Sequence, residues 1–273
     1  MRFLEAEFLL IDNSNSFTKF ALSTRETLLR TCKLPTQQIN RQTLQRAVRG
    51  WRFKCVVLSS VVPKKAEIIT RFFSRFALIR VSARLQLGVG VDYPKPKTIG
   101  ADRLANAASA VAFYGAPVVV VDFGTAVSFD IVSRDKKYVG GVIAPGLEAM
   151  TEYLHHRTAL LPKIHLFEPP SAIGKSTRDA MLAGAVYGYR GLVRQILTEI
   201  GRELGMPKRL KVIATGGYAE LIARGLPEIL VVRPNLTLEG LRLIGALNRE
   251  PMQNGKRSRR RRAQPFTNVT RAR

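Results

Sequence analysis

Asp122-Phe123-Gly124-Thr125-Ala126 sets a carboxylate, a glycine and a hydroxyl directly after Val118 to Val121, a β-branched run preceded by Pro117. Such a run reads as a fully buried strand. A carboxylate at its C-terminal end can hold a cation beside a phosphate chain. The glycine lets backbone N–H groups approach phosphate oxygens, and the threonine adds a donor. An ordinary strand-to-turn transition uses the same residue types. The grammar occurs once before, at Asp12-Asn13-Ser14-Asn15-Ser16-Phe17-Thr18-Lys19. There Asp12 ends a strand, and Asn15, Ser16 and Lys19 can donate to phosphates across a turn; a polar β-turn with a surface lysine is the plainer alternative. A third piece, Gly100-Ala101-Asp102-Arg103 with Tyr93 upstream, offers Asp102 as a general base or a helix N-cap. Arg103 beside it can clamp a carboxylate.

Two other patterns carry less. Gly174-Lys175-Ser176-Thr177 resembles the end of a P-loop, but Pro169 stands where that loop needs a glycine. His155, His156 and His165 lack the cysteine or acidic spacing of a metal site and read as surface or interface residues.

Positioning the three pieces requires buried strands that end at the carboxylates. The pattern predicts strands over 3–11, 17–23, 26–34 and 54–59, and helices over 41–51, from 63 to about 75, and over 102–114. The order restarts at Pro117, with strands to 121, near 126–132 and over 137–143, then helices from 145 to about 156 and over 181–203. A strand over 210–214 ends in Thr215-Gly216-Gly217, and a last helix covers 238–249. Each half opens with a strand ending in Asp and a turn. That predicts a duplicated α/β fold of two similar domains around a cleft, residues 1–114 and 115–250. Residues 251–273 lose apolar periodicity and read as a basic, disordered tail.

With 273 residues, 46% of them hydrophobic, the chain can build a sizeable core. No apolar run reaches the roughly 20 residues a membrane span needs. Glu5 and Glu7 interrupt the N-terminal apolar stretch, which fails as a signal-peptide core. Cys32 and Cys55 have no metal or disulfide spacing, so a cytoplasmic protein is expected. The net charge of +24 comes from 44 Lys and Arg against 20 Asp and Glu. Eight basic residues and no acid lie from Lys256 onward, so the tail concentrates an excess that the body also carries. A cluster such as Arg259 to Arg262 can make nonspecific polyanion contacts through counterion release.

Together the three pieces resemble the type III pantothenate kinase family, within the acetate and sugar kinase/actin-like superfamily. The family's first phosphate motif, D-x-G-N-T-x-x-K, is matched by Asp12, Asn15 and Lys19. Its G-x-D-R motif is matched by Gly100, Asp102 and Arg103, and its D-F-G-T-A motif by Asp122 to Ala126, with Asp130 at the family's distance. Tyr138, Gly140-Gly141, Pro145-Gly146, Thr158 to Pro162, Ile173-Gly174 with Thr177, Thr215-Gly216-Gly217 and Leu236 to Leu241 continue the pattern. Ser14 replaces the family glycine and Ser16 the family threonine. Ser16 keeps the hydroxyl. Ser14 puts a side chain where the family leaves backbone free to approach ATP, so any loss of ATP binding is expected to start there.

The resemblance implies two actin-like (ribonuclease H-like) domains of duplicated βββαβα-type topology and a central cleft. It implies ATP-dependent phosphorylation of pantothenate to 4′-phosphopantothenate, the first step of coenzyme A biosynthesis, by a homodimer. Asp102 would be the catalytic base, with Tyr93, Gly100, Ala101, Asp102, Arg103 and Thr177 binding pantothenate, Thr177 across the dimer interface. Asp12, Asn13, Ser14, Asn15, Ser16, Phe17, Thr18, Lys19 and Thr125 would bind ATP. Asp12 would hold Mg²⁺, directly or through water, and Asp122 a monovalent cation, K⁺ or NH₄⁺. Two alternatives stay open: a catalytically weakened relative acting as a regulatory or nucleic-acid-associated accessory factor, and the same fold acting on another small hydroxy-acid or sugar.

Overall fold

A computed structural model describes residues 6–206 and 210–249; the expected strand start at 3–5 and the tail at 251–273 lie outside the described residues. The first half runs β1 (Phe8–Asn13), β2 (Phe17–Ser23), β3 (Leu28–Pro35), α1 (Arg41–Ala47), β4 (Cys55–Ser60), α2 (Pro63–Phe72), β5 (Ala77–Arg80), β6 (Gly90–Val91) and α3 (Ala101–Tyr114). The second runs β7 (Val118–Phe123), β8 (Ala126–Val132), β9 (Lys137–Pro145), α4 (Leu147–Arg157), α5 (Thr177–Glu203), β10 (Lys211–Thr215), α6 (Ala219–Ala223), β11 (Ile229–Val232) and α7 (Leu236–Asn248).

The first sheet has the order β3-β2-β1-β4-β5 and the second β11-β10-β7-β8-β9-β6. In both, an antiparallel meander of three strands is followed by two strands parallel to the first. The expected duplication is therefore present, and each copy has a fifth strand, β5 or β11, that the sequence pattern missed. Both are four residues long and half exposed, with no clean alternation to betray them.

Alternation along the buried strands decides what faces the cleft. Phe8 and Leu10 of β1, and Val118 and Val120 of β7, join one core cluster with Leu104 of α3 and Leu241 of α7. Leu9 and Ile11 face the opposite way, toward Leu44 and Ile69 of α1 and α2. Val119, Val121 and Phe123 likewise turn toward Val186 and Val193 of α5. Asp12 and Asp122, in step with Leu10 and Val120, thus fall on the inner faces. The alanine-rich stripe of α3 lets α7 pack against it, and this helix pair lies between the two sheets.

Two helices start or stop elsewhere than expected. α5 begins at Thr177 because Ser176 caps it, its Oγ accepting the Asp179 N–H at 3.1 Å. The P-loop look-alike is thus a helix cap. α1 is capped reciprocally by Asn40 and Thr43 and ends at Ala47. No described helix is long and apolar enough to cross a membrane.

Candidate active site

The turn between β1 and β2 puts Asp12 at its entrance and Lys19, its cross-strand partner, at its exit. Ser14 Oγ donates to Asp12 Oδ1 at 3.1 Å, and the Ser14 N–H reaches Phe17 O at 3.2 Å. Ser14 is not among the residues of positive φ, so the serine sits in the glycine's place without backbone strain. Asn15, Ser16 and Phe17 form the exposed tip. Asn13 and Thr18 differ from expectation. Both are fully buried on the outer side of the sheet, where Asn13 Nδ2 donates to Thr18 Oγ1 at 2.8 Å. Their side chains brace the turn from beneath and do not face the cleft.

The turn between β7 and β8 repeats the arrangement. Asp122 is the fifth residue of its strand, as Asp12 is of β1. Gly216 closes in behind it at φ +97°, where a Cβ would come within 2.6 Å of Asp122 Oδ1. At the tips the two turns meet: Ser16 Oγ lies 2.7 Å from Thr125 Oγ1. Asn106 of α3 donates weakly to Asp122 Oδ2 at 3.4 Å and accepts from Thr237 of α7 at 2.8 Å.

Asp102 lies in the first turn of α3, where its Oδ1 accepts the Arg103 N–H at 2.9 Å. Gly100 stands at the N-cap and Ala101 at the first helical position, so they set the entry to the helix. Arg103 reaches β8, with Nε 2.5 Å from Asp130 Oδ1 and Nη2 donating to Phe129 O at 3.0 Å. Its guanidinium lies 5.8 Å from the Tyr138 ring, and Tyr93 meets Tyr138 edge-on at 6.2 Å. Strand β6 makes that meeting by pairing with the edge of β9, Val91 opposite Tyr138. Thr177 is exposed at the start of α5 and shares no hydrogen bond with Tyr93, Asp102 or Arg103 among the described residues.

Burial pushes the Asp12 carboxyl up to about 7, with Lys19 opposing and Asp102 and Asp122 adding to the rise. Asp122 is raised for the same reasons, and Asp102 by burial against the pull of the Arg103 N–H and charge. Asp130 is pushed up to about 7 by burial, against Arg103. Asp12 and Asp122 share Lys19 and both feel the charge of Asp102, so the two turns are short of positive charge. Ser59 and Thr215, the parallel-strand partners of Asp12 and Asp122, have buried hydroxyls with no hydrogen-bond partner. Paired carboxylate and hydroxyl oxygens suit hard cations. No three His, Cys, Asp or Glu side chains among the described residues form a metal cluster, so water and phosphate would complete any such ion's shell.

Asp130, Asn106, Ser59 and Thr215 were not among the expected site residues. The available signals were the places of Asp130 and Thr215 in the family pattern and a lone Asn in the alanine-rich α3.

Two copies of one α/β sheet topology thus carry a carboxylate-bearing turn at the same strand position. A model of the type III pantothenate kinase family matches residues 8–199. The type III pantothenate kinase of Akkermansia muciniphila is 51% identical over 242 residues, which is 88% of this chain and 99% of that relative. Its counterpart from Methylacidiphilum infernorum is 42% identical over 88% of each chain. The chain belongs to the type III pantothenate kinase family. Among solved structures, a Campylobacter jejuni protein of the Baf family aligns with a TM-score of 0.58 at 20% identity, over 86% of this chain and 96% of that one; it supports the fold alone.

Proposed function

We propose that the chain transfers the γ-phosphoryl group of ATP to the terminal hydroxyl of pantothenate, yielding 4′-phosphopantothenate for coenzyme A biosynthesis. The observation that carries the assignment is the place of Asp102. Its charge is felt at both Asp12 and Asp122, and Arg103 follows it in the same helical turn. This supports a reading in which Asp102 is the base, the turns at Asp12 and Asp122 hold the phosphates and Arg103 clamps the carboxylate. Phosphoryl transfer passes through a loose transition state, so catalysis is largely positioning and charge neutralisation. Asp102 receives the hydroxyl proton, and burial raises its affinity for protons, which favours that role.

Arg103 holds the pantothenate carboxylate, with Tyr93 along the same pocket wall. Asn15, Ser16, Lys19 and Thr125 contact ATP, to which Asn13 and Thr18 offer backbone only. Asp12 holds Mg²⁺, directly or through water, and Asp122 with Thr215 holds K⁺ or NH₄⁺. Bound there, these ions neutralise phosphate charge that Lys19 alone does not balance.

The chain acts as a homodimer. Leu160 and Ile173 are 89% and 79% exposed, and Ile143, Tyr153 and Phe167 are each more than half exposed. Exposed apolar side chains of this size accord with a subunit interface, and Thr177 would complete the pocket of the partner subunit. Free Cys32 and Cys55 accord with a cytoplasmic enzyme. Release of ADP that requires both ATP and pantothenate tests the assignment, and release indifferent to pantothenate contradicts it.

A further inference from the structure

We propose that Asp130 and Gly141 are positioning residues that fix which edge of the Arg103 guanidinium meets the substrate carboxylate. This rests on the pantothenate kinase reading above. A guanidinium can offer a side-on edge, Nε with Nη2, or an end-on edge, Nη1 with Nη2. In this fold the side-on edge is occupied by protein. Nε lies 2.5 Å from Asp130 Oδ1, and Nη2 donates to the Phe129 carbonyl at 3.0 Å. Among the described residues Arg103 has no other side-chain hydrogen bond. The end-on edge remains for a ligand, and its fork geometry matches a planar carboxylate.

Asp130 is held to this task by position. Its side chain is 0% exposed, inside a strand whose neighbours Phe129 and Val132 are apolar and buried. Its Oδ2 has no hydrogen-bond partner, and its Oδ1 ties β8 to the start of α3 through Arg103. Its short hydrogen bond goes to Arg103, and its charge also bears on the Tyr138 hydroxyl.

Gly141 sets the remaining wall. It is the cross-strand partner of Asp130 on β9. A Cβ built there would fall 2.0 Å from Phe129 O and 2.1 Å from Arg103 Nη2. The Phe129 carbonyl belongs to the sheet and gives little, so a side chain at 141 shifts the Arg103 guanidinium off its seat. Tyr138, 5.8 Å away, flanks the guanidinium with its ring. Loss of either Asp130 or Gly141 thus leaves the charge of Arg103 in place and destroys its aim.

The test compares two acceptors that carry the same phosphorylatable hydroxyl: pantothenate, and the alcohol analogue in which hydroxymethyl replaces the carboxylate. kcat and KM are measured on each for wild type, Asp130→Asn and Gly141→Ala, with circular dichroism to confirm folding. A misaimed charged hydrogen bond costs about 10- to 100-fold. That loss is expected in kcat/KM for pantothenate, chiefly through KM, with a loss on the alcohol at least about fivefold smaller. If Asp130→Asn fails to fold, Gly141→Ala carries the comparison, because it keeps the ion pair's charges. Equal losses on both acceptors mean a merely structural role and overturn the inference while leaving the kinase reading intact. An unchanged KM for pantothenate in both variants overturns it as well. A wild type that phosphorylates neither acceptor removes the kinase reading, and the inference with it.

Discussion

The Ser16 and Thr125 hydroxyls lie 2.7 Å apart although 109 residues separate them in the chain. Each sits at the tip of one copy of a duplicated turn, so the two halves touch where ATP phosphates are proposed to bind. A phosphate that inserts there exchanges a neutral hydroxyl pair for two charge-assisted bonds. Replacing Ser16 or Thr125 with Ala should raise the KM for ATP by about 10-fold or more, since hydrogen bonds to charged groups contribute roughly 1.5–3 kcal/mol. The two effects should be non-additive in a double-mutant cycle, because the pair is coupled in the free enzyme. Strict additivity would show that the hydroxyls act on different groups.

Asp102→Asn keeps the size of the side chain and removes the proton acceptor. Turnover should fall by about 100-fold or more, the usual scale for a general base. ATP affinity, followed by titration calorimetry, should stay nearly unchanged, because Asp102 lies on α3 and not in either phosphate turn. A variant with near-normal turnover would take Asp102 out of the mechanism.

Thr215 Oγ1 is buried beside Asp122 without a partner. Thr215→Val removes that hydroxyl at nearly constant shape, which should leave the ligand-free melting temperature almost unchanged. In wild type, ATP should raise the melting temperature more in potassium than in sodium buffer. The variant should lose that difference. If it keeps the full potassium effect, Thr215 is no part of the cation site.

Stability should fall as pH rises past neutrality. Asp12 and Asp130 are pushed up to about 7 by burial, from an unfolded value near 3.9. Between these limits the folded chain binds more protons than the unfolded one. Their contribution is therefore fully present below about pH 4 and is lost as pH rises through about 7. Without added divalent cations, the melting temperature should be higher at pH 6 than at pH 8. Asp12→Asn should flatten this slope.

What the sequence discloses here depends on how local each pattern is. A carboxylate that ends a β-branched run is local, so the turns at Asp12 and Asp122 and the duplicated order of strands are legible at once. The face a side chain takes is less so. Asn13 and Thr18 lie inside a contiguous motif, yet strand alternation turns them outward to each other. Ser14, which breaks the family pattern, finds a non-left-handed backbone and a bond to Asp12, so the expected weak point shows no strain. The seat of Arg103 needs β8 and β9 in register, a pairing no single stretch of sequence encodes. Strand β6 has two residues and no period, although it brings Tyr93 against Tyr138.

The account is tested most directly by identifying the product when the purified chain meets ATP, Mg²⁺ and pantothenate in potassium buffer. Mass spectrometry should find 4′-phosphopantothenate with wild type and almost none with Asp102→Asn. Turnover of ATP without that product, or equal product from both proteins, would contradict it.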